Sequence, residues 1–331
     1  MSPSLLLTTV VRRSAALFAL PWLLFAGLMA QQAALAQYPE KPITLITPFA
    51  AGGSSDLTAR VFTSFISKYL GRPMLIKLVP GQAGQKGTLE ATKAAPDGYT
   101  LVFIDNYRDQ LHQYTFRNDY YDTNEDLVTV ARVNYGQIAI IVRADGPYET
   151  WAQLEADARA RPGQIRMSHS GLWAALFVPA RRIMQNLELR FRMVPYRGGG
   201  PAKAALMAGD VDFSMAFPAT VAVDVEAGKV RILATAGPER TVEGVPSFVE
   251  IGLSPNTGYI HRIVMAPSGV PEDRLMRLRR AFAALQSDEA YLAAMRRLGE
   301  NTEYMDGVDY EAVRIEQSRE YGELVRAIAG Q

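Results

Sequence analysis

Cysteine does not occur in the 331 residues, and histidine and tryptophan occur three times each. The first absence rules out disulfides, thiol chemistry, a cysteine zinc site and a lipid-modified cysteine. The histidines, His112, His169 and His261, lack His-x-x-x-His or His-x-His spacing, so no metal site is expected. Charge of one sign is not in excess, since 35 basic side chains face 34 acidic ones. That balance recommends neither nucleic acid nor a membrane surface as a partner. The hydrolase pattern Gly-x-Ser-x-Gly is missing, and the carboxylates are scattered with no pair standing out as acid and base. No cofactor and no enzymatic activity are expected.

Long apolar runs are missing too, except near the start. Residues 15–29 form one, interrupted by Pro21 and preceded by Arg12 and Arg13. Ala34-Leu35-Ala36 supplies small residues for cleavage, and no acidic residue precedes Glu40. Residues 1–36 therefore read as a signal peptide, which makes the mature chain an exported, periplasmic one. A transmembrane anchor is the alternative, but the run is too short and its flanks are wrong. The arginine pair hints at twin-arginine export, although Val11 stands where a Ser or Thr would help, so the export route stays open. Without its leader the chain has 33 basic and 34 acidic side chains, because only Arg12 and Arg13 are lost. Its remaining length of about 295 residues favours two lobes over one.

What is present is organised around Ile43-Thr44-Leu45-Ile46-Thr47-Pro48-Phe49-Ala50-Ala51-Gly52-Gly53-Ser54-Ser55-Asp56. A β-branched run gives a buried strand, two glycines give a turn, and N-cap residues open a helix of apolar period that stops at Gly71. Free amides at such a helix start suit an anion. The spacing is neither Gly-x-Gly-x-x-Gly nor Gly-Lys-Ser/Thr, which disfavours a nucleotide. An ordinary βα turn is the plainer reading of this stretch alone.

Further strands are expected at 74–79 and 99–104, with a helix at 88–95 between them, as in a parallel α/β sheet. Residues 105–125 are polar and aromatic without clear period and read as an irregular segment. Strands are expected next at 128–133 and 137–142, the second a candidate crossing between lobes. A second alternation then places helices at 150–161, 172–185, 202–208 and 219–227, and strands at 165–168, 191–195, 211–216 and 230–236. The last part has a strand at 263–266 and helices at 272–285, 287–298 and 308–329. Leu275, Leu278, Phe282 and Leu285 form a core-packing stripe.

Open α/β sheets bind ligands at the carboxyl ends of their strands. Three glycine- or serine-rich loops of that kind occur: 49–56, Ser168-His169-Ser170-Gly171, and 196–202 with Gly198, Gly199 and Gly200. Two lobes presenting helix starts to one another would clamp a small carboxylate. Ser168 and Ser170 flank His169, but neighbours in a strand-exit loop point apart, which leaves a nucleophilic hydrolase as a minor reading.

Several stretches together carry a family resemblance. They are Tyr38-Pro39-Glu40-Lys41-Pro42-Ile43, the 48–56 loop, Ala94-Ala95-Pro96-Asp97-Gly98-Tyr99-Thr100-Leu101 and Tyr121-Asp122. Val194-Pro195-Tyr196-Arg197-Gly198-Gly199-Gly200-Pro201-Ala202, Ala208-Gly209-Asp210-Val211-Asp212, Val245-Pro246-Ser247-Phe248 and Ala266-Pro267-Ser268-Gly269-Val270-Pro271 complete the set. In order and over nearly the whole mature chain, the sequence resembles the substrate-binding receptors of tripartite tricarboxylate transporters, the Bug receptors. The resemblance implies a periplasmic-binding-protein-like Venus flytrap of two α/β domains joined by crossing strands. It places domain 1 at 37–138 plus 260–331 and domain 2 at 139–259. It implies a monomer that captures a small aliphatic or aromatic carboxylate and delivers it to the membrane permease subunits of such a transporter. A receptor docking on a two-component sensor kinase is the alternative. The implied ligand contacts are Phe49, Ala51, Gly52, Gly53, Ser54, Ser55 and Asp56 on one side. Ser168, His169, Ser170, Gly171, Gly198, Gly199, Gly200, Ala216 and Phe217 lie on the other.

Departures from the family pattern bear on the ligand. Pro80-Gly81-Gln82-Ala83-Gly84-Gln85 replaces a more regular glycine-asparagine loop. Asp105-Asn106-Tyr107-Arg108 stands where small polar residues are usual, Ile260-His261-Arg262 where Trp-x-Gly is common, and the position after strand 211–216 is apolar. Asn106 joins the candidate contacts. Arg108 or Arg262 is the candidate bidentate carboxylate partner, with solvated or surface-paired arginines as the alternative.

Overall fold

The computed structural model describes residues 38–115, 121–255 and 257–329. The expected leader, 1–36, lies outside the described residues. The unit Lys41–Gln331 holds the strands and helices found among the described residues. Its eleven strands are β1 (Ile43–Thr47), β2 (Met74–Leu78), β3 (Thr100–Asp105), β4 (Leu127–Gln137), β5 (Ala139–Arg143), β6 (Arg166–His169), β7 (Arg192–Pro195), β8 (Phe213–Ala216), β9 (Val230–Thr235), β10 (Tyr259–Pro267) and β11 (Met305–Asp306), counted among the described residues.

The strands make two sheets, ordered β11-β4-β10-β3-β1-β2 and β7-β6-β8-β5-β9. In the first, β1 runs parallel to β2 and β3, but β10 is antiparallel to β3 and β4, and β11 to β4. In the second, β6 is parallel to β7 and β8, while β5 is antiparallel to β8 and β9. The expected parallel arrangement holds for β1, β2 and β3, and the crossing and edge strands make both sheets mixed as wholes. The chain leaves the first sheet and returns to it through single strands, and each of these enters against its neighbours.

Burial follows the sequence. Ile43, Leu45 and Ile46 in β1 are covered on both faces, as a central strand with helices above and below must be. β2 alternates buried and exposed positions, the mark of the sheet edge. The helix Ser54–Leu70 buries Ala59, Phe62, Ile66 and Leu70 at helical spacing and ends at Gly71, which takes φ +81° and gives its N–H to the Ser67 carbonyl. The helix Trp151–Ala160 starts on a capping box between Thr150 and Gln153.

β4 and β5 are separated by Ile138 alone. The Ile138 N–H donates to the Gly258 carbonyl at 3.1 Å, and the Ala236 N–H donates to the Ile138 carbonyl at 2.7 Å. The outgoing and returning chains are thus hydrogen-bonded to each other where they pass between sheets.

Over its described part, 105–115 and 121–125, the segment expected to be irregular is largely helical, and 116–120 lie outside the described residues. Tyr107–Leu111 forms a wide turn of π geometry that runs into the helix His112–Thr115. Residues 105–112 are all buried. Their polarity is internal: the Arg314 guanidinium grips Asp109 through Nε and Nη2 at 2.8 and 2.9 Å, and Arg108 Nη1 grips Asp105 at 2.8 Å. Tyr107 and Leu111, with Tyr321 and Leu324 of the helix Gly307–Ala329, join the apolar cluster that holds the core of the second sheet.

Candidate functional site

The turn after β1 is closed from within. Gly52 takes φ +76°, and its N–H donates to Asp56 Oδ2 at 2.8 Å. Arg60 Nε donates to the same oxygen at 3.1 Å. Asp56 is therefore committed to the turn. Gly53 is the N-cap of the 54–70 helix and makes no side-chain cap, so this helix start has no side chain satisfying its amides. Ala51 and Gly52 are exposed, Gly53 and Ser55 half-buried, and Ser54 buried.

Beneath this helix start sits a buried polar network. Ser54 Oγ donates to Glu300 Oε1 at 3.0 Å and accepts from Arg262 Nη2. Arg262 Nη1 donates to Glu300 Oε2 at 2.6 Å and to Thr58 Oγ1 at 3.1 Å. Asn134 Nδ2 donates to Glu300 Oε2 at 3.2 Å. Arg262 is 1% exposed, and its charge is matched by Glu300. Charged hydrogen bonds of this kind are what allow both groups to stay in a dry interior.

The second sheet reaches this network through Phe217. The Phe217 ring lies 5.2 Å from the Arg262 guanidinium carbon. Gly136 of β4 leaves room for both: a Cβ there would sit 2.7 Å from Arg262 Nη2 and 2.8 Å from Phe217 Cε1. Phe217 is also the N-cap of the helix Pro218–Glu226, again without a side-chain cap. Gly198 precedes the helix Gly199–Ala208 in the same uncapped way, at φ +114°. Gly199 and Gly200 are the first helical residues there, and Gly200 has nothing within 4 Å of where its Cβ would stand.

The remaining second-sheet candidates follow β6, β7 and β8, which lie side by side and parallel, so they gather at one carboxyl edge of that sheet, several with their side chains turned to internal partners. Ser168 is fully buried; its hydroxyl donates to the Ala202 carbonyl at 2.9 Å and meets Ser214 Oγ at 2.8 Å, inside the second sheet. His169 Nδ1 faces the Gly171 carbonyl at 3.1 Å, and burial lowers its pKa against the pull of that carbonyl. Ser170 Oγ accepts from the Leu176 N–H at 3.3 Å. Ala216 is buried at the end of β8, opposite Ala139. Asn106 gives its amide to the Tyr321 hydroxyl and accepts from the His261 N–H at 3.1 Å. Phe49 lies 5.1 Å from the Arg108 guanidinium carbon, and Arg108 Nε donates to the Ala83 carbonyl at 2.9 Å.

Neither arginine is on the surface, and each has an internal ion-pair partner, although Arg262 Nε is buried without an acceptor among the described residues. Arg108 is held by Asp105 and Arg262 by Glu300. Sequence reasoning missed Thr58, Asn134, Gly136 and Glu300. Gly136 inside a strand did carry a signal, since such a glycine marks close approach. Among the described residues no group of three His, Asp or Glu side chains could hold a metal. An open depression of about 450 Å³ lies elsewhere, beside Trp151 and Pro246. Glu149, Glu155 and Glu250 line it, a poor seat for an anion, and geometry at the helix starts is the better guide.

The arrangement has known relatives. The sequence pattern of the tripartite tricarboxylate transporter family receptors matches residues 58–329. Protein BugT of Bordetella pertussis is 29% identical over 254 residues, covering 76% of this chain and 78% of its own. A solved periplasmic transporter superposes with a TM-score of 0.80 at 27% identity, covering 87% of this chain and 97% of its own. MatC from Rhodopseudomonas palustris with bound malate superposes with a TM-score of 0.77 at 24% identity, covering 87% of this chain and all of its own, a likeness of fold. With a periplasmic-binding-protein fold of two α/β lobes and a pattern match over most of its length, the chain belongs to the TctC family of tripartite tricarboxylate transporter receptors, the family of the Bug proteins.

Proposed function

We propose that this solute-binding protein holds one small carboxylate between the loop 49–56 and the loops of the second sheet, and presents it to the permease of a tripartite tricarboxylate transporter. The observation that carries the reading is the state of the arginines. Arg262 and Arg108, the cations beside the loops, are each matched by an internal carboxylate. The helix starts at Gly53, Gly198 and Phe217 are uncapped by any side chain. The carboxylate is therefore held by backbone amides and hydroxyls, with Phe217 beside its apolar part. The family description and the malate-bound MatC both support an organic acid as the class.

The proposed lobes are 37–138 plus 260–331 and 139–259, so that the strands on either side of Ile138 and the stretch before Tyr259 are the crossings. The mature protein acts in the periplasm after loss of residues 1–36, as a monomer and without catalysis. None of its described helices is long and apolar enough to cross a membrane.

A thermal-shift screen over mono-, di- and tricarboxylates, aromatic acids included, tests the reading. One class should raise the melting temperature in a saturable way. Gly198→Ala should weaken that ligand while leaving the fold in place. If no carboxylate stabilises the protein, or if the stabilising ligand binds Gly198→Ala unchanged, the site is wrong. Co-purification with a permease subunit tests the partner.

A further inference from the structure

Arg132 presents a problem that the carboxylate site does not solve. It is 3% exposed and stands on β4, in register with Ile263 of β10 and Met305 of β11. Its Nη1 donates to the Tyr135 hydroxyl, and its guanidinium carbon lies 4.0 Å from the centre of that ring. Its Nε is buried and has no acceptor.

The other buried arginines have a carboxylate or carbonyl partner on the fork, although Arg262 also keeps a buried Nε without an acceptor among the described residues. Arg108 has Asp105, Arg262 has Glu300 and Arg314 has Asp109. Arg279 gives Nε and Nη2 to the Thr129 carbonyl. Among the described residues no carboxylate comes within ion-pair distance of Arg132. Glu303 acts on its charge from an exposed position, outside that distance. The remaining neighbours are neutral. His261 meets Tyr135 edge-on at 4.6 Å, and its Nδ1 lies 2.9 Å from the Tyr310 hydroxyl and 3.1 Å from Gln317 Nε2. Burial and the Arg132 charge hold the His261 pKa down to about 3.

Side chains alternate along β10, so His261 and Arg262 face opposite sides of the first sheet. Arg262 points to Ser54, and His261 points to Tyr310 of the 307–329 helix. Arg132, on the His261 side, is separated by the sheet from the carboxylate site. A guanidinium in a dry interior needs a counter-charge, and its planar fork is shaped for an oxyanion.

We propose that Arg132 is the centre of a second anion site, which takes one small oxyanion, inorganic or a short carboxylate, on its Nε edge beside Tyr135. The Tyr135 main chain is clasped by Asn301, whose amide donates to its carbonyl at 2.8 Å and accepts its N–H at 3.2 Å. Asn301 is the residue after Glu300, so the second site touches the frame that holds Arg262.

Sulfate and selenate are suitable probes. The mature protein titrated with sulfate at constant ionic strength should show a saturable rise in melting temperature. Arg132→Met should weaken that response by at least about tenfold, leaving only the unsaturating effect of salt. Crystals soaked in selenate should show an anomalous peak at hydrogen-bond distance from Nε. A folded Arg132→Met protein that responds to sulfate as the parent does overturns the proposal, and so does a selenate map without a peak at Arg132. If Arg132→Met fails to fold, Arg132→Lys keeps the charge, loses the fork and gives the same comparison.

Discussion

The two walls of the candidate site are built differently. The first rests on buried charge: Ser54, Thr58, Asn134, Arg262 and Glu300 form one hydrogen-bonded frame beneath a helix start. The second rests on glycine and hydroxyls: Gly171 and Gly198 take positive φ, and Ser168 pairs with Ser214 inside the sheet. A frame of matched charges fixes position at a cost in desolvation, whereas glycine lets backbone come close to a guest with no charge at all. The contrast teaches that the same amides can be presented by a rigid wall and by a bare one, and substitutions should separate them.

The largest effect is expected in the first wall. Glu300→Gln leaves Arg262 buried without its counter-charge and should cost about 3–5 kcal/mol in urea denaturation. A loss below about 1 kcal/mol would mean that the frame is solvated.

Acid should strain the opposite face of the first sheet next. The folded-state pKa of His261 is depressed from 6.5 to about 3, so its contribution is fully present above 6.5 and is lost as pH falls toward 3. The slope is at most about 1.4 kcal/mol per pH unit. Burial depresses His112 and His169 too, so His261→Gln should flatten the stability–pH profile in part. An unchanged profile between pH 6.5 and about 4 would remove His261 from the account.

In the second wall Gly198→Ala puts a side chain at φ +114° and should cost about 1–3 kcal/mol of stability. Calorimetry should find its ligand affinity reduced by more than its stability predicts, whereas Glu300→Gln should show the reverse. The smallest effect is expected where the walls meet. Phe217→Ala removes the ring from Arg262 and should cost about 0.5–2 kcal/mol, measured as a change in denaturation midpoint. A double mutant of Phe217 and Arg262 with additive losses would show that the ring and the guanidinium do not interact.

Much of the scaffold was legible because apolar period speaks plainly. The run Ile43-Thr44-Leu45-Ile46-Thr47 is β1, and the stripe Leu275, Leu278, Phe282 and Leu285 lies on the helix Glu272–Leu285, with the bounds expected. Polar burial was not legible. β4 extends to Gln137 through Asn134, Tyr135 and Gly136, which break any alternation and hide its second half. The helix Gly199–Ala208 starts on two glycines that propensity argues against. Residues 105–112 look like a loop because Asp105, Arg108 and Asp109 are charged, yet their partners make them interior.

The site was legible as loops and not as side-chain pairings. Ser54 and Gly198 stand out as residues before or at a helix start. That Glu300 would meet Arg262 depends on a chain return of 38 residues, and no local pattern encodes it. A resemblance locates a family's loops in the same way, and only packing tells which polar atoms they leave over.

Ile138 has a mechanical consequence. Its N–H is committed to Gly258 of the chain returning to the first sheet, and its carbonyl to Ala236 at the end of β9. The two passages therefore form a doubled ribbon rather than two independent strings. A bend of one sheet against the other would have to pass through this paired segment, and the two passages would have to bend together.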